Sequence, residues 1–421
     1  MSLPGDDATW TIERLGHRGD GIARRGAERA LAPLTLPGEV ISGTPQRGRI
    51  AGARILRPAA ERVVPDCPHY AHCGGCALMH ASDEFVKRWK VGVVTEALRA
   101  QGLAAPVAGI HVSPPFSRRR AVLAGRMGPG GPVVGLHARA SAEIVAIGSC
   151  RVLRPAINGA LPLLGRLVAA CAPWTAEMTL SVTETGPGLD VAIAPQPGAR
   201  RRRGTPPDDA GLFARLSALA AEGDLARLSW ADLSITRRPP TLRFGRATVV
   251  PPPGAFLQAT AEAQAAMTAL LRRITAGAPR ITELFAGCGT FSLPLAETAE
   301  IRAFEGLAAP LAALDTAARR TPGLRRITTA TRDLARRPLL ADELGGDAIV
   351  IDPPRAGAEA QAREIARTKV PVLAYVSCDP ASFARDARIL AEGGLDLVAL
   401  WVIDQFRWSP HVETVAEFRR R

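Results

Sequence analysis

The fold is decided by the stretch Ile281-Thr282-Glu283-Leu284-Phe285-Ala286-Gly287-Cys288-Gly289-Thr290, a short apolar run that ends in a glycine turn. A helical segment precedes it at 260–275, and another follows the glycine turn through residue 299. Further strand-like runs follow at 301–305, 325–329, 348–351, 370–376 and 395–403, separated by helical segments at 309–320, 358–368 and 382–391. Strands that alternate with helices predict an α/β fold with a parallel, doubly wound, Rossmann-like sheet.

The glycine turn predicts a nucleotide-like ligand. Gly287 and Gly289 allow the backbone to approach such a ligand closely, and Glu305 ends the next strand, where a carboxylate reaches ribose hydroxyls. Phe291-Ser292 replaces the third glycine of a dinucleotide fingerprint, which disfavours a hydride cofactor. The pattern favours S-adenosylmethionine, with Asp333 placed to reach the adenine amino group.

Two later strands end in reactive motifs, Ile351-Asp352-Pro353-Pro354 and Ser377-Cys378-Asp379-Pro380. Asp-Pro-Pro also occurs in methyltransferases that act on amino nitrogens, and these need no thiol. Cys378 lies where open α/β sheets bind their ligands, and a thiolate there is suited to add to C6 of a pyrimidine and activate C5. The alternative is a buried structural cysteine.

A C5 methylation also needs a general base, because the C5 proton must leave. Glu413, in Trp408-Ser409-Pro410-His411-Val412-Glu413, is the first candidate and His411 the second. A surface glutamate is the alternative for Glu413. Near the start of the domain, Phe256 offers a ring that could stack on a base or pack in a core, and Gln258 offers an amide that could read a base edge.

Composition adds a partner class. The 421 residues are enough for two or three domains, and Lys plus Arg outnumber Asp plus Glu by 53 to 40, which gives a net charge of +13 and favours a nucleic acid. A genome rich in G and C would explain the use of Arg but not the charge. Because neither a membrane-length apolar run nor a signal-peptide pattern occurs, we expect a cytoplasmic protein without a membrane partner.

Residues 1–57 contain short strand-like runs broken by glycine, which predicts a small OB-like β-barrel of the kind that binds oligonucleotides. Gly19-Asp20-Gly21-Ile22-Ala23 and Leu36-Pro37-Gly38-Glu39 resemble the TRAM domain, an RNA-binding barrel found in RNA-modifying enzymes. The alternative is a β-domain that merely caps the chain.

Seven cysteines occur, and three of them, Cys67, Cys73 and Cys76, fall within one loop. In a reducing compartment this spacing predicts a metal site rather than disulfides. Cys150 is the best fourth ligand. Four thiolates fit zinc or an iron–sulfur cluster, and the chemistry alone does not decide; competing ligands are His69, His72 and His80.

Residues 58–250 predict a mixed α+β middle domain, mainly antiparallel, with helices at 81–105, 156–170 and 212–222, and residues 251–421 form the α/β domain. Two arginine runs, at 118–120 and 200–203, are either charged surface loops or phosphate contacts.

Taken together, these motifs resemble the RNA uracil-C5 methyltransferases, and in particular the bacterial 23S ribosomal RNA members that carry a TRAM domain and a [4Fe-4S] cluster. The resemblance spans essentially the whole chain. It implies a nucleophilic Cys378, a basic Glu413, and Asp352 near the base and the donor. It also implies donor contacts and a cluster ligand set: Gln258, Phe285, Thr290, Glu305 and Asp333 for S-adenosylmethionine, and Cys67, Cys73, Cys76 and Cys150 for the cluster.

Two positions depart from the family pattern. Thr290 stands where relatives often have Asn, and Gln405-Phe406-Arg407-Trp408-Ser409 stands where they usually read Met-Phe-Pro-x-Thr. The resemblance predicts a methyltransferase that flips a uridine of RNA, with 23S ribosomal RNA favoured, into a pocket between the middle and catalytic domains. The sequence does not address the oligomeric state, and a monomer is the default expectation. The alternatives are a transfer RNA enzyme, an amino-directed nucleic-acid methyltransferase and a non-catalytic RNA-binding scaffold.

Overall fold

The structure is a computed structural model that describes residues 9–196 and 210–421. The arginine run at 200–203 lies outside the described residues, so its predicted role is not addressed by the structure. Within the described ranges, no helix combines the length and the apolar character needed to cross a lipid bilayer.

The N-terminal segment forms one antiparallel five-stranded sheet in the order β3-β2-β1-β4-β5. The strands alternate buried and exposed residues, and the buried ones, which include Trp10, Ile12 and Ile41, pack into one apolar cluster. Leu31 also bridges Arg49, which brings the strand β3 to the segment before β5. The strand bounds are β1 Thr9–Leu15, β2 Gly21–Arg25, β3 Glu28–Ala32, β4 Val40–Ser42 and β5 Arg54–Arg57.

The middle segment begins with helix α1 (Asp83–Ala100), which the side chain of Ser82 caps by accepting a hydrogen bond from the Phe85 amide. Strand β6 (Val107–Val112) follows. A seven-stranded sheet then has the order β13-β12-β11-β10-β7-β8-β9, with β11 and β12 parallel and its other pairs antiparallel. Its elements are β7 Arg120–Gly128, β8 Gly131–His137, β9 Ile144–Ala146, α2 Pro155–Gly159, α3 Leu161–Cys171, β10 Glu177–Thr185, β11 Gly188–Pro195, α4 Ala210–Glu222, β12 Arg227–Trp230 and β13 Leu233–Thr236.

A hairpin, β14 (Leu242–Phe244) and β15 (Ala247–Val249), leads into the C-terminal sheet. The predicted alternation is present, although the helix expected to run to residue 299 contains only one helical turn, α6. The elements are α5 Ala261–Ile274, β16 Arg280–Leu284, α6 Ser292–Leu295, β17 Glu300–Glu305, α7 Ala308–Arg319, β18 Ile327–Thr331, β19 Ala348–Ile351, α8 Glu359–Ala366, β20 Val372–Ser377, α9 Pro380–Glu392, β21 Leu395–Asp404 and β22 Glu413–Arg420.

The sheet order is β18-β17-β16-β19-β20-β22-β21-β6, and this corrects the expectation of a wholly parallel sheet. Strand β22 runs antiparallel between β20 and β21, and β6, from the middle segment, pairs in parallel with β21. The division into three domains at residues 57 and 250 stays a prediction. Two elements of the predicted middle domain nevertheless join the C-terminal sheet: helix α1 packs against it, and strand β6 pairs with β21.

Both faces of this sheet are covered by helices. Helices α5 and α7 contribute Met267 and Leu314 to the core on one face, and α1 and α9 contribute Leu98 and Phe383 to the core on the other. All the residues of β19 and β20 are buried. The carboxyl ends of two buried neighbouring strands therefore stand side by side at one edge of the sheet, where a ligand can reach them.

Candidate active site

Cys378 follows strand β20 directly, at the carboxyl edge of the sheet. The next residue, Asp379, caps helix α9 by accepting hydrogen bonds from the amides of Ala381 and Ser382, at 3.0 and 2.9 Å. This cap fixes the turn and leaves the thiol partly exposed. Burial, and then the nearby carboxylates of Glu413 and Asp352, raise the pKa of Cys378 to about 12, so the isolated site holds a thiol.

Glu413 begins strand β22 at the same carboxyl edge of the sheet. We call the site bordered by Cys378 and Glu413 the reaction pocket. The β20–β22 register pairs Ser377 with Thr414, so Cys378 and Glu413 occupy the next position along the two neighbouring strands. Glu413 is 2% exposed, and its Oε1 accepts a 2.9 Å hydrogen bond from Nε2 of Gln405. Burial, with a contribution from Asp352, raises the pKa of Glu413 to about 8.

Asp352 follows β19 and completes the group of acids. Its Oδ2 accepts a 3.2 Å hydrogen bond from Nε2 of Gln258, which is itself buried. Removal from water raises the pKa of Asp352 to about 7. Two carboxyl groups and a thiol from three adjacent strands therefore lie together, and each carboxyl group titrates close to neutral pH.

The glycine turn lies at the end of β16, on the same edge. Gly289 adopts φ +84°, and a Cβ at this position would meet the Leu314 side chain at 2.4 Å, so only glycine fits. Phe285 has the left-handed φ of +62°, which is rare for a side chain of this size. The amide of Gly287 donates a 3.0 Å hydrogen bond to Oε2 of Glu305, which holds that carboxylate beside the turn.

Other predicted donor contacts lie at the rim. Thr290 is partly buried within the turn. Asp333 is exposed, and its Oδ1 accepts hydrogen bonds from the amides of Ala335 and Arg336, at 3.1 and 3.2 Å. Thr290 therefore lies in the same turn as the glycines, whereas Asp333 already has backbone partners within its own loop.

The structure adds two residues that the sequence reasoning missed as site residues. Glu283 is buried inside β16, Oγ of Ser292 donates a hydrogen bond to it, and burial raises its pKa to about 8. Gln405 donates to Glu413 and to Gln258. For Glu283 the available signal was an acid between Ile281 and Leu284 in a predicted strand, and for Gln405 it was the departure from the family pattern.

His411, the second candidate base, lies at the exposed side of the pocket. Its Nε2 is 3.3 Å from Nη2 of Arg355, and its ring meets the Phe406 ring edge-on. Burial, and then the positive charge of Arg355, lower the pKa of His411 to about 4. The imidazole is therefore neutral at physiological pH. The positive charge near the thiol of Cys378 is that of Arg355.

Phe256 is 69% exposed, so the reading of this ring as a core residue is wrong. The guanidinium of Arg120 lies 5.8 Å from the centre of its ring. The neighbouring Arg119 is buried and donates a hydrogen bond to Oε1 of Gln264, which corrects the expectation that the run at 118–120 is a charged surface loop. The run instead fixes the segment 255–264 from within the protein.

Four cysteines from two distant segments line one cavity of about 110 Å³: Cys67, Cys73, Cys76 and Cys150. Burial first, and then the other three cysteines, raise the pKa of Cys76 to about 12. Within residues 9–196 and 210–421, no group of three or more His, Cys, Asp and Glu residues is arranged to hold a metal ion. The cysteines thus share a cavity, but not at the spacing that one ion requires.

The cavity adjoins the loop that leads to Glu413. The carbonyl oxygen of Trp408 accepts hydrogen bonds from the amides of Ala77 and Leu78, at 2.8 and 2.9 Å, directly after Cys76. Arg118 and Arg407 line the same cavity. The cysteine loop and the loop at 405–412 are therefore held together by backbone hydrogen bonds.

Comparisons with known proteins identify the family of this chain. A model of the tRNA (uracil-5-)-methyltransferase family matches residues 329–421. An uncharacterised RNA methyltransferase of Caulobacter vibrioides is 43% identical over 97% of this chain and 99% of its own length. The 23S rRNA (uracil(1939)-C(5))-methyltransferase RlmD of Chromohalobacter salexigens is 34% identical over 97% of this chain and 89% of its own length. The chain belongs to the RNA uracil-C5 methyltransferase family.

The solved structures agree on the fold. The crystal structure of the Pyrococcus abyssi tRNA (uracil-54, C5)-methyltransferase, in complex with S-adenosyl-L-homocysteine, matches with a TM-score of 0.72 and 20% identity, over 97% of this chain and 99% of that one. At this identity the match establishes the fold. Membership of the uracil-C5 methyltransferase family makes this chain an S-adenosylmethionine-dependent RNA methyltransferase.

Proposed function

We propose that this enzyme methylates C5 of a uridine in 23S ribosomal RNA, with Cys378 as nucleophile and Glu413 as base. The observation that carries the proposal is the β20–β22 register, which sets Cys378 beside Glu413 at the edge that also holds the glycine turn. A relative with a ribosomal RNA name matches at 34% identity, whereas the transfer RNA enzyme matches at 20%. Ribosomal RNA is therefore the favoured substrate.

The thiol of Cys378 acts first. Once the thiol proton has passed to bulk water, the sulfur bonds to C6 of the uracil, and the electron pair of the C5–C6 double bond moves to C5 as an enolate. Arg355 is the cation whose charge lowers the pKa of this thiol. We assign to it the stabilisation of the thiolate.

Bound S-adenosylmethionine supplies an activated methyl group, and S-adenosylhomocysteine is the leaving group. The carboxylate of Glu413 then takes the proton from C5, the C5–H electron pair restores the C5–C6 double bond, and the sulfur of Cys378 departs as thiolate. A carboxyl group with a pKa near 8 suits this step, because it is partly ionised at neutral pH and basic enough to accept the proton.

The donor pocket fits an adenosyl group. A Cβ at Gly287 would meet no atom within 4 Å, and the amide of Gly287 holds the carboxylate of Glu305 beside this open position. Leu307, 66% exposed, offers an apolar surface for the adenine. The proposed donor contacts are Gln258, Phe285, Thr290, Glu305, Asp333 and Asp352.

We propose a [4Fe-4S] cluster for the cysteine cavity, with zinc as the alternative, because the four cysteines line one cavity. A cluster spreads its four cysteine ligands over several iron atoms. Arg118 and Arg407 line the cavity, where their charges would offset that of a cluster. A cluster there would shape the loop that leads to Glu413.

The rest of the chain supplies RNA contacts. We assign the N-terminal sheet to the TRAM class of RNA-binding barrels and the exposed Phe256, with Arg120, to stacking on a nucleobase. A monomer in the cytoplasm is the proposed working form.

The test is covalent trapping on RNA that contains 5-fluorouridine. Fluorine at C5 cannot leave as a proton, so the methylated adduct should stay bound to the enzyme, and digestion should map it to Cys378. Fragments of 23S ribosomal RNA and transfer RNA transcripts, offered side by side, identify the substrate. An adduct on transfer RNA alone would overturn the ribosomal assignment. Methyl groups on exocyclic amines, or RNA binding without any affinity for S-adenosylmethionine, would overturn the mechanism.

A further inference from the structure

Gln405 connects the two carboxyl groups of the pocket. It follows β21, is 2% exposed, and makes three hydrogen bonds through one amide group. Its Oε1 accepts from the amide of Ala259 at 2.7 Å, and its Nε2 donates to Oε1 of Gln258 at 2.7 Å and to Oε1 of Glu413 at 2.9 Å.

The orientation of both side-chain amides follows from the partners. Because the backbone N–H of Ala259 can only donate, it must face the oxygen of Gln405, and Nε2 then points toward two acceptors. Gln258 accepts through Oε1, so its own Nε2 faces Asp352 at 3.2 Å. Hydrogen bonds thus run outward from Gln405 in two directions, to Glu413 on one side and through Gln258 to Asp352 on the other.

The backbone around Gln405 is held in place by its neighbours. The preceding residue, Asp404, forms a buried ion pair with Nζ of Lys90 at 2.5 Å, and Oδ1 of Asp404 also accepts from the amide of Phe406 at 3.1 Å. The carbonyl oxygen of Asp404 accepts from the amide of Ser113 at 2.9 Å. The backbone on both sides of Gln405 is therefore fixed by helix α1 and by the segment after β6.

We infer that Gln405 is a positioning residue for the base in the proposed reaction. Its Nε2 holds Oε1 of Glu413 in place and, through Gln258, sets the orientation of Asp352 across the pocket. Gln405 has no contact with the reacting uracil in this scheme and acts through Glu413. The inference rests on the proposed function, since it requires Glu413 to remove the C5 proton.

The hydrogen bond also acts on the acidity of Glu413. A donor to the ionised form lowers the pKa of a carboxyl group, and Gln405 does so here, while burial and Asp352 raise the pKa. The charged and titratable groups around Glu413 are Asp352, Arg355 and the thiol of Cys378. Loss of the Gln405 amide should move the ionisation of Glu413 to higher pH.

Gln405→Met keeps the length of the side chain and removes the donor. A hydrogen bond to a charged group contributes about 1.5–3 kcal/mol, so the pH profile of proton removal should shift upward by roughly one unit or more. Gln405→Glu keeps the acceptor for the Ala259 amide and adds a negative charge. Its shift should be larger and in the same direction.

The experiment separates the two chemical steps with two labels. RNA that carries tritium at C5 of uridine reports proton removal as released tritium, and a labelled methyl donor reports methyl transfer. In Gln405→Met, tritium release should slow about tenfold near neutral pH, methylated covalent adduct should accumulate, and the pH profile should shift. Gln361→Met is the matched control, because Gln361 is buried and bonded to the backbone of Leu339, outside the pocket.

The outcomes are distinct. Equal loss of both labels with an unshifted profile, in Gln405→Met or in Gln405→Glu, would mean that the residue only supports the fold, and would overturn the inference. If Gln405→Met does not fold, Gln405→Glu decides by the same readout. A wild-type enzyme that transfers no methyl group to uridine would instead overturn the proposed function.

Discussion

The reaction pocket and the cysteine cavity both take acidic groups out of water, and they differ in what partners those groups receive. In the pocket, Gln405 donates to Glu413 and Gln258 donates to Asp352. In the cavity, among the described residues, the hydrogen bond to a sulfur is that from the Gly75 amide to Cys73, at 3.4 Å. Burial raises the pKa in both places, to about 7 for Asp352 and about 12 for Cys76.

The presence or absence of amide donors determines whether each region can ionise its acidic groups without a bound cation. Carboxyl groups with amide donors can hold or release a proton near neutral pH, so the pocket has its acid–base chemistry from the chain alone. Buried thiols without such donors stay protonated unless a cation stabilises the thiolate. In the proposed scheme a bound metal group would ionise the thiols of the cavity, whereas the carboxyl groups of the pocket have amide donors from the chain itself.

The largest expected effect tests the thiol of the pocket. Cys378→Ala should abolish methyl transfer to uridine, by a factor on the order of 10⁴ or more, because no other group can bond to C6. The fold and the affinity for S-adenosylmethionine should be retained, since Cys378 is partly exposed and packs in no core. The measurement is transfer of a labelled methyl group, alongside calorimetry with the donor.

The matched control is Cys171→Ala, which removes a thiol from the apolar core of the middle sheet. It should leave methyl transfer unchanged in the folded protein. If Cys378→Ala retained uridine methylation, the thiol would not be the nucleophile, and the contrast between the two regions would lose its chemical basis.

The second effect tests the base. Glu413→Gln should slow turnover by about 10²–10⁴-fold, the usual contribution of a positioned general base. Methyl transfer should still occur once, so the methylated adduct to Cys378 should accumulate on ordinary RNA. Electrophoresis of the enzyme with labelled RNA under denaturing conditions detects the adduct. Slow turnover without any adduct would assign Glu413 to an earlier step and leave the C5 proton without a base.

Local sequence patterns were sufficient for the two strands that end at Asp352 and Cys378. Alternation of strands and helices predicted the sheet, and the motif ends at Asp352 and Cys378 predicted which edge carries the chemistry. Strand β22 was not predicted, because residues 413–420 do not alternate strictly between apolar and polar side chains, and their place in the sheet depends on pairing with β20 and β21. Pairing between segments distant in sequence is not encoded in a local period.

Side-chain networks were less accessible. Gln405 stood out only as an unusual residue, since its partners Gln258 and Ala259 lie about 147 residues earlier in the chain. Arg119 looked like a surface charge, because a run of arginines has the same local pattern whether it is exposed or, as here, bonded to the buried side chain of Gln264. Such contacts follow from the tertiary structure and not from composition.

The third effect tests the cavity. Cys76→Ser replaces a thiolate ligand by a weaker hydroxyl, so the purified protein should lose iron and sulfide, and its unfolding temperature should fall. Methyl transfer by the folded fraction should fall less than in Cys378→Ala, because the cavity acts on the pocket indirectly, through contacts with the loop at 405–412 such as those of Trp408. Metal analysis after anaerobic preparation, with thermal unfolding, measures both.

Cys171→Ser is the control for this variant, since Cys171 is also buried and its pKa is also raised to about 12, but it lies away from the cavity. It should keep its iron. Unchanged iron in Cys76→Ser would place the metal group elsewhere. Zinc in place of iron and sulfide would correct the cluster to a single ion.

The smallest effect concerns pH and separates activity from stability. The folded pKa of Glu413, about 8, lies above its ordinary value of 4.5, so the folded chain keeps a proton that the unfolded chain loses between these values. Raising the pH across this window therefore favours unfolding, by at most about 1.4 kcal/mol per pH unit for this group. Turnover should rise over about pH 7 to 8, as the base ionises, while stability falls.

Glu413→Gln cannot ionise, so its unfolding temperature relative to wild type should be higher at about pH 8.5 than at about pH 5.5. Glu343→Gln is the control: Arg332 lowers the pKa of Glu343 to about 2, so its folded and unfolded values both lie below this range, and its offset should not change with pH. An equal offset for Glu413→Gln at both pH values would mean that Glu413 is ionised in the folded protein throughout. The pKa of Glu413 in the folded protein would then not be raised. The pocket would lack a carboxyl group that gains and loses its proton near neutral pH, and the proposed contrast with the cysteine cavity would fail.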